Sequence, residues 1–432
     1  MSVRVHFIGI GGIGLSGLAQ FLQNSGYSIS GSDMKSSAIT DNLIKAGAKL
    51  TIPHNQGAIQ DQELVIHSAA IKESNIELRQ AKQSGIRSIT RAEALKFILK
   101  DKQVYSVAGA HGKSTTSAIL ASLLDHSSAI IGAISKDFGS NVRIKSEQSL
   151  VFEADESDAS FLNSNPYCAI VTNAEPEHME FYGYDEKRFY QAYTEFIKKA
   201  KVRVLYKEDP FLKNLDVDAI WLEKKDIRNI EYFLKDGLPY TRFELKEYGE
   251  FEVYGFGEHI AIDASLAILA ALEQLPLESV RKNIKNYHGI KKRFDIVYQD
   301  EDIAIIDDYA HHPTEVCVTM ESAKEYAKLS TKNSITAIWQ PHKYSRTKDN
   351  IQGFKRCFKG CGTLVILPVF SAGEEPVTID FAKEFSQYNT IFADFVDQNR
   401  VYKEGKEVAK IDSGVIIGFG AGDITYQLRG EV

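Results

Sequence analysis

Apolar residues along the chain fall into short blocks, each ending in a glycine-rich or acidic cluster, and the blocks alternate between the repeats of strands and helices. Val5-His6-Phe7-Ile8 predicts a strand. Leu15, Leu18, Ala19 and Leu22, at i, i+3, i+4 and i+7, predict the helix after it, with Gly26 as its stop. Tyr27-Ser28-Ile29-Ser30 predicts a second strand ending at Gly31-Ser32-Asp33, and Leu64-Val65-Ile66-His67 another, running into Ser68-Ala69-Ala70. This alternation predicts a parallel sheet. It lasts to about Lys100, where Lys100-Asp101-Lys102-Gln103 reads as a linker.

A second block series opens with Val104–Ala108 and a helix carrying Ile119, Leu120, Leu123 and Leu124 on one face. Its later strands, Leu150–Phe152 and Ala169–Thr172, end in the polar clusters 153–158 and 173–178. Ligands of open α/β sheets sit beyond the carboxyl ends of strands, so chemistry is expected at those clusters. From about Lys201 to Gly257 the pattern is uninformative and is read as antiparallel strands and loops. A third series begins near Arg293, with strands at 303–306, 335–338, 364–367 and 415–417. The expected architecture is α/β with three domains. Residues 1–100 form an N-terminal Rossmann-like parallel sheet, 101–292 a central P-loop ATPase-like α/β domain, and 293–432 a C-terminal Rossmann-like α/β domain.

With 432 residues, 44% of them hydrophobic and 25% charged, the chain reads as a soluble multidomain protein. Its net charge of −7 argues against a broad nucleic-acid-binding face, although a local loop can still bind a small phosphorylated ligand. Cys168, Cys317, Cys357 and Cys361 lack zinc-finger spacing and read as buried or reduced thiols, the last two one turn apart on a helix. With no visible leader and no apolar run approaching the ~18 residues of a membrane span, a cytoplasmic protein without membrane insertion is expected.

Two glycine loops carry the candidate chemistry. Gly9-Ile10-Gly11-Gly12-Ile13-Gly14 fits G-x-G-x-x-G between a strand and a helix, with Asp33 19 residues beyond Gly14. Such a loop lets a diphosphate approach the backbone at a helix N-terminus and suits any diphosphate-linked nucleotide, NAD included; Asp33 could accept from a ribose or a base. The second, Gly109-Ala110-His111-Gly112-Lys113-Ser114-Thr115, lacks the first glycine of the strict P-loop, having Val107 there. It keeps the loop N–H groups, a lysine charge for phosphates and a hydroxyl for Mg²⁺. Glu156, just past a strand, is placed to hold such an ion, and His178 is either a second metal contact, a ligand-orienting group or a plain loop residue.

Several ordered blocks along nearly the whole chain resemble the Mur ligases of bacterial cell-wall synthesis. They are residues 6–14, 109–116 and 153–161; Val171-Thr172-Asn173 with Glu177-His178-Met179; Arg293-Phe294-Asp295; 307–315; Gln340-Pro341-His342 with Arg346-Thr347; and 420–424. The resemblance implies a UDP-sugar-binding, an ATP-binding and an amino-acid-side domain. It also implies ATP-driven amide formation, in which the lactyl carboxylate of UDP-N-acetylmuramate becomes an acyl phosphate and the amine of L-alanine attacks its carbonyl to displace phosphate. It implies Mg²⁺, two ions, and a monomer or weak dimer.

By position, the resemblance gives Gly109 to Thr115 to the ATP phosphates, and Ser114, Glu156 and His178 to metal. Arg293 and Asp308 fall to ATP, while Tyr309, His311 and Arg346 fall to the substrate carboxylates and alanine. Gly9, Gly11, Gly12, Ile13, Gly14, Asp33 and Ser68 fall to the UDP-sugar. Lys113, Glu156, His178, His311 and Arg346 are the implied catalytic set. The chain departs from the family where asparagines usually read adenine, having Ile260 and Asp263; a family arginine is replaced by Lys343, and Tyr193 stands where sister ligases carry a carbamylated lysine. Alternatives are a recycling ligase that adds a preformed tripeptide to the same sugar nucleotide, and an NAD-dependent oxidoreductase built on the first loop.

Overall fold

A computed structural model describes residues 2–431. The chain divides into two compact units, Met1–Arg228, Glu244–Phe251 and Ile262–His288 forming one, and Asn229–Phe243, Glu252–Ala261 and Gly289–Val432 the other. In the first unit, β1 (Arg4–Ile8), β2 (Ser28–Ser32), β3 (Lys49–Thr51), β4 (Leu64–His67) and β5 (Arg87–Thr90) form a sheet in the order β3-β2-β1-β4-β5. Every pairing in it is parallel. The central strand is buried from Val5 to Ile8, as a strand covered on both faces must be. The order reverses at β1 and β4, so the crevice past their carboxyl ends holds Gly9 and Ser68, whose Cβ lies 3.4 Å from where a Cβ on Gly9 would stand.

The same unit holds a seven-stranded sheet made of β6 (Gln103–Ala108), β7 (Ser128–Ile130), β8 (Val142–Arg143), β9 (Ser149–Glu153), β10 (Pro166–Val171), β11 (Val202–Tyr206) and β12 (Ile220–Leu222). The order is β12-β11-β10-β6-β9-β7-β8, parallel except for β7 with β8. Because β6 lies between β9 and β10, the second glycine loop, the acidic cluster and Thr172-Asn173 all leave the sheet side by side. The helix Lys113–Leu123 is buried on every side from Thr116 onward, not only on the one apolar stripe. Its outer side is covered too: Asn283 Nδ2 donates to the Leu123 carbonyl (2.8 Å).

The stretch read as uninformative turns out mixed. β11 and β12 extend the parallel sheet, and only β13 (Ile227–Lys235), β14 (Leu238–Leu245) and β15 (Gly249–Tyr254) form a separate small sheet in chain order. Asp236 and Gly237, both at positive φ (54° and 76°), make the two-residue hairpin turn between the first two of these.

In the second unit, β16 (Asp295–Gln299), β17 (Ile303–Asp308), β18 (Ile335–Trp339), β19 (Thr363–Ile366) and β20 (Thr390–Phe392) join a late strand in one sheet. A small antiparallel sheet, β21 (Phe395–Asp397), β22 (Arg400–Lys403) and β23 (Lys406–Lys410), precedes that strand, β24 (Gly414–Phe419). The large sheet runs β16-β17-β24-β18-β19-β20, antiparallel only between β16 and β17. Cys361 lies past the end of the helix Ile351–Cys357, contrary to its reading as helical. All four cysteines are free, and Cys317 Sγ lies 2.7 Å from Cys357 Sγ. No helix among the described residues is long and apolar enough to cross a membrane.

Gly17, inside the helix Ile13–Asn24, lets that helix pack on the seven-stranded sheet: a Cβ there would stand 2.7 Å from Ile130 Cγ2. Alanine is a better helix former than glycine by about 1 kcal/mol, but overpacking costs about 1–3 kcal/mol. Gly17→Ala is therefore expected to lower the thermal midpoint of the first unit in calorimetry; a raised midpoint would show that the helix, not the contact, decides.

Candidate active site

The first loop is braced by the residue expected to read a ligand. Asp33 Oδ2 accepts from the Gly11 N–H (2.8 Å) and Oδ1 from the Met34 N–H (2.7 Å), so this carboxylate shapes the loop while keeping lone pairs to spare. Gly9 adopts φ 83°, which requires glycine. Gly12 is the N-cap of the helix Ile13–Asn24, and no side chain caps that helix, so its first N–H groups remain for an anion. Beneath the loop a buried polar cluster fixes β1 to β2. His6 Nε2 lies 3.2 Å from Glu77 Oε2, Ser32 donates to the same carboxylate, and the Asn55 N–H donates to Glu77 Oε1 (2.6 Å).

The second loop is held from β10. Asn173 Oδ1 accepts from the N–H groups of Ala110 (3.0 Å) and His111 (3.2 Å), and its Nδ2 donates to the His111 carbonyl (3.0 Å). Two of the loop N–H groups expected to face phosphate are thus committed to Asn173. Gly112, at φ 81°, caps the helix with no side-chain bond, leaving the following turn open at its N-terminus. Asp263 lies against this glycine, whose missing Cβ would stand 2.5 Å from Oδ1. Asp263 therefore packs on the second glycine loop, and Ile260 packs in the other unit against Gly255.

Lys113 is tethered by its own loop and by the acidic cluster. Its Nζ donates to the carbonyls of Gly109 and Ala110 (3.1 Å) and to Glu156 Oε1 (2.9 Å). Burial works to lower the Lys113 pKa, but Glu156 and Glu153 outweigh it and hold the ammonium above its ordinary range. Burial pushes Glu156 up to about 7 against the pull of Lys113. The other oxygen, Glu156 Oε2, is buried with no hydrogen-bond partner. Ser114 Oγ donates to Glu153 Oε1 (2.9 Å), and the Gly132 N–H donates to Glu153 Oε2 (2.5 Å). Burial raises the Glu153 pKa as well. The sequence marks Glu153 only as part of the acidic cluster; its position as the last residue of the strand beside β6 is the signal that singles it out.

The orphaned Glu156 oxygen fits a hard cation that keeps its own waters, as Mg²⁺ does. Among the described residues no three His, Cys, Asp or Glu side chains converge as a preformed metal cage. His178 stands at φ 52°, half-exposed, its Nε2 4.0 Å from Glu177 Oε2. Tyr193 is fully buried, edge-on to Phe161 (5.2 Å between centroids), and its hydroxyl has no partner.

The second unit gathers a separate cluster past the ends of β17 and β18. Asp308 is buried and accepts from the N–H groups of Phe294 (2.7 Å) and Ala310 (2.8 Å); burial lifts its pKa to about 6. Arg293 Nη1 reaches Glu315 Oε1 (3.3 Å), and its guanidinium lies over the Tyr309 ring. The His311 N–H donates to Glu315 Oε2 (3.1 Å). Arg346 Nη1 lies 3.0 Å from His342 Nδ1, and the His311 and His342 rings are 5.8 Å apart. Arg293, Tyr309, His311 and Arg346 are therefore brought together, with Glu315 and His342 as the links to which the sequence reading gave no role. Glu315 is at the third position of a helix with Pro313 at its start, the spacing of a capping box. Lys343 caps the next helix at φ 67°.

Three family models cover the chain in order: the Mur ligase family catalytic domain over residues 4–103, the Mur ligase middle domain over 107–271, and the Mur ligase glutamate ligase domain over 292–410. The chain belongs to the Mur ligase family. A UDP-N-acetylmuramate–L-alanine ligase of Campylobacter curvus is 54% identical over 432 residues, 99% of each chain. One of Helicobacter pylori is 55% identical over 435 residues, 99% of this chain and 97% of its own. The crystal structure of the UDP-N-acetylmuramate–alanine ligase of Thermotoga maritima matches with a TM-score of 0.84 at 25% identity, covering 99% of this chain and 98% of its own. A murein peptide ligase of Psychrobacter arcticus, at 19% identity and a TM-score of 0.66, shares the fold. The relatives at about half identity bear the alanine name, and neither the tripeptide-adding nor the NAD-dependent alternative finds support among them.

In this Mur ligase, burial, then His311 and Arg346, lower the His342 pKa to about 4. The unfolded chain, with an ordinary histidine near ~6.5, takes up a proton that the folded unit refuses. The contribution of His342 is thus full above that value and is lost as pH falls toward 4. Nitrogen-15 NMR should find this imidazole neutral at pH 5.5, and His342→Asn should flatten the fall in stability on acidification. An ordinary titration midpoint would contradict the burial of this ring among cations.

Proposed function

We infer that the chain is an ATP-dependent UDP-N-acetylmuramate–L-alanine ligase acting in peptidoglycan precursor synthesis. The observation that carries the reading is Lys113, an ammonium held at the mouth of an uncapped helix by Glu156, in a chain whose full length aligns with ligases of that name. A carboxylate and an amine at neutral pH form a salt, so the acid must first acquire a leaving group. The lactyl carboxylate attacks the γ-phosphorus of ATP, ADP leaves, and an acyl phosphate results. The amine of L-alanine then adds to the carbonyl, and phosphate departs from the tetrahedral intermediate.

Lys113 offsets charge that develops on the transferring phosphoryl group, from a water-poor loop where its effect is largest. The stretch from Gly109 to Thr115 cradles the nucleotide phosphates through the N–H groups that Asn173 does not take. Ser114, Glu156 and His178 are the residues that would hold Mg²⁺, two ions in this reading, which when bound neutralises phosphate charge. Arg293 and Asp308 are assigned to the nucleotide, and Tyr309, His311 and Arg346 to the carboxylates and the incoming alanine. Gly9 to Gly14, with Asp33 and Ser68, are assigned to UDP-N-acetylmuramate. We assign residues 1–100, 101–292 and 293–432 to the sugar nucleotide, ATP and amino acid respectively. The enzyme is read as a cytoplasmic monomer or weak dimer.

The test is phosphate release from ATP, expected only with both UDP-N-acetylmuramate and L-alanine present. Lys113→Ala should lower kcat by roughly a thousandfold with an unchanged circular dichroism spectrum. Activity within tenfold of the native enzyme would show that this loop does not act on the reacting phosphate.

A further inference from the structure

Arg91 enters none of the roles above, yet it stands between the two glycine-loop regions. It is the first residue of the helix Arg91–Ile98, directly after β5, and its side chain is only 17% exposed. On one side Nη2 donates to Asp155 Oδ2 (3.0 Å) and Ser160 Oγ (2.7 Å), with Asp158 Oδ1 at 3.7 Å. On the other side Nη1 occupies the space that a Cβ on Gly14 would need, so the last glycine of the first loop is what admits the guanidinium. That loop opens a helix whose first turn holds no acidic residue and whose N-cap supplies no side chain. A full positive charge is thus packed beside the positive end of a helix dipole, which favours anions; Asp155 and Asp158 answer it on one side, while the helix that follows Gly12 has no acidic residue in its first turn on the other.

The two aspartates answer only one face of the guanidinium. Its five donors in a planar fork can serve a carboxylate with one edge and a phosphate with another. Asp155 also accepts from the Ser157 N–H (3.0 Å), and burial, which raises its pKa, is outweighed by Arg91 and Ser157. Asp155 is followed by Glu156, which holds Lys113. A chain of contacts therefore runs from Gly14 through Arg91 and Asp155 to the ammonium of the phosphate loop, all within one compact unit.

We propose that Arg91 binds the diphosphate of the sugar nucleotide with the edge that faces Gly14, while its other edge holds the acidic loop carrying Glu156, so that occupancy of the first loop and order of the second are linked. The proposal rests on the assignment of the first loop to the sugar nucleotide. It makes Arg91 a specificity residue for diphosphates and a positioning residue for Glu156.

The test is calorimetric binding of UDP, UMP and a non-hydrolysable ATP analogue to the full chain. Arg91→Ala is expected to weaken UDP at least tenfold and UMP much less, collapsing the native preference for the diphosphate. The ATP analogue should also bind more weakly, because the acidic loop carrying Glu156 loses its anchor, and the effect of bound UDP on its affinity should vanish. Arg91→Lys keeps a charge for Asp155 but loses the fork; it should fold as the native chain does and show an intermediate preference. An unchanged preference in both variants, with only a lowered thermal midpoint, would reduce Arg91 to a structural brace and overturn the proposal. Gly11→Ala, whose Cβ would stand 2.9 Å from Asp33 Oδ2, separates the two readings. If it leaves UDP affinity unchanged, the loop assignment fails. If it abolishes UDP binding while Arg91→Ala leaves the preference intact, only the role of Arg91 fails.

Discussion

A largely buried ammonium needs acceptors around it, and the arrangement at Lys113 satisfies that need with loop carbonyls and one carboxylate. Replacing such a pair by apolar side chains is often neutral or stabilising, so stability is a weak reason for its existence. On the proposed reading the pair keeps a charge ready for phosphate, and the second Glu156 oxygen has no hydrogen-bond partner. Much of the first unit serves to hold those groups. Asn173 fixes the loop from one neighbouring strand and Glu153 receives Ser114 from the other.

Sheet order turns this local constraint into a site. Parallel strands deliver their following loops to one edge, and placing β6 between β9 and β10 brings three sequence-distant segments together there. The same logic operates at β1 and β4 for the first loop. In the second unit, the segments after β17 and β18 bring together the cluster joined by Glu315 and His342.

The legible parts of the site were those in which backbone geometry restricts residue choice. Gly9 and Gly112 sit at positive φ, and the strand–loop–helix setting makes both loops legible in the sequence. Side chains that act across long sequence distances were not readable. Asn173 lies 63 residues from Ala110 and Arg91 lies 64 from Asp155, and no local period links them. The burial of the helix Lys113–Leu123 on all sides was missed because its serines and threonines imitate a solvated face; Thr116, Ser117 and Ser122 are in fact buried. The hairpin at Asp236-Gly237 carried a recognisable turn pair inside a charged, tyrosine-rich stretch whose alternation is weak until β14 is seen to bury every second residue.

On the proposed reading, the ammonium of Lys113 serves transfer of the γ-phosphoryl group of ATP onto a carboxylate. The most direct measurement uses UDP-N-acetylmuramate labelled with oxygen-18 in both lactyl carboxylate oxygens. A single turnover with ATP and L-alanine should place one labelled oxygen in each inorganic phosphate released, detected by mass spectrometry. Phosphate free of label, with amide product formed, would contradict the account.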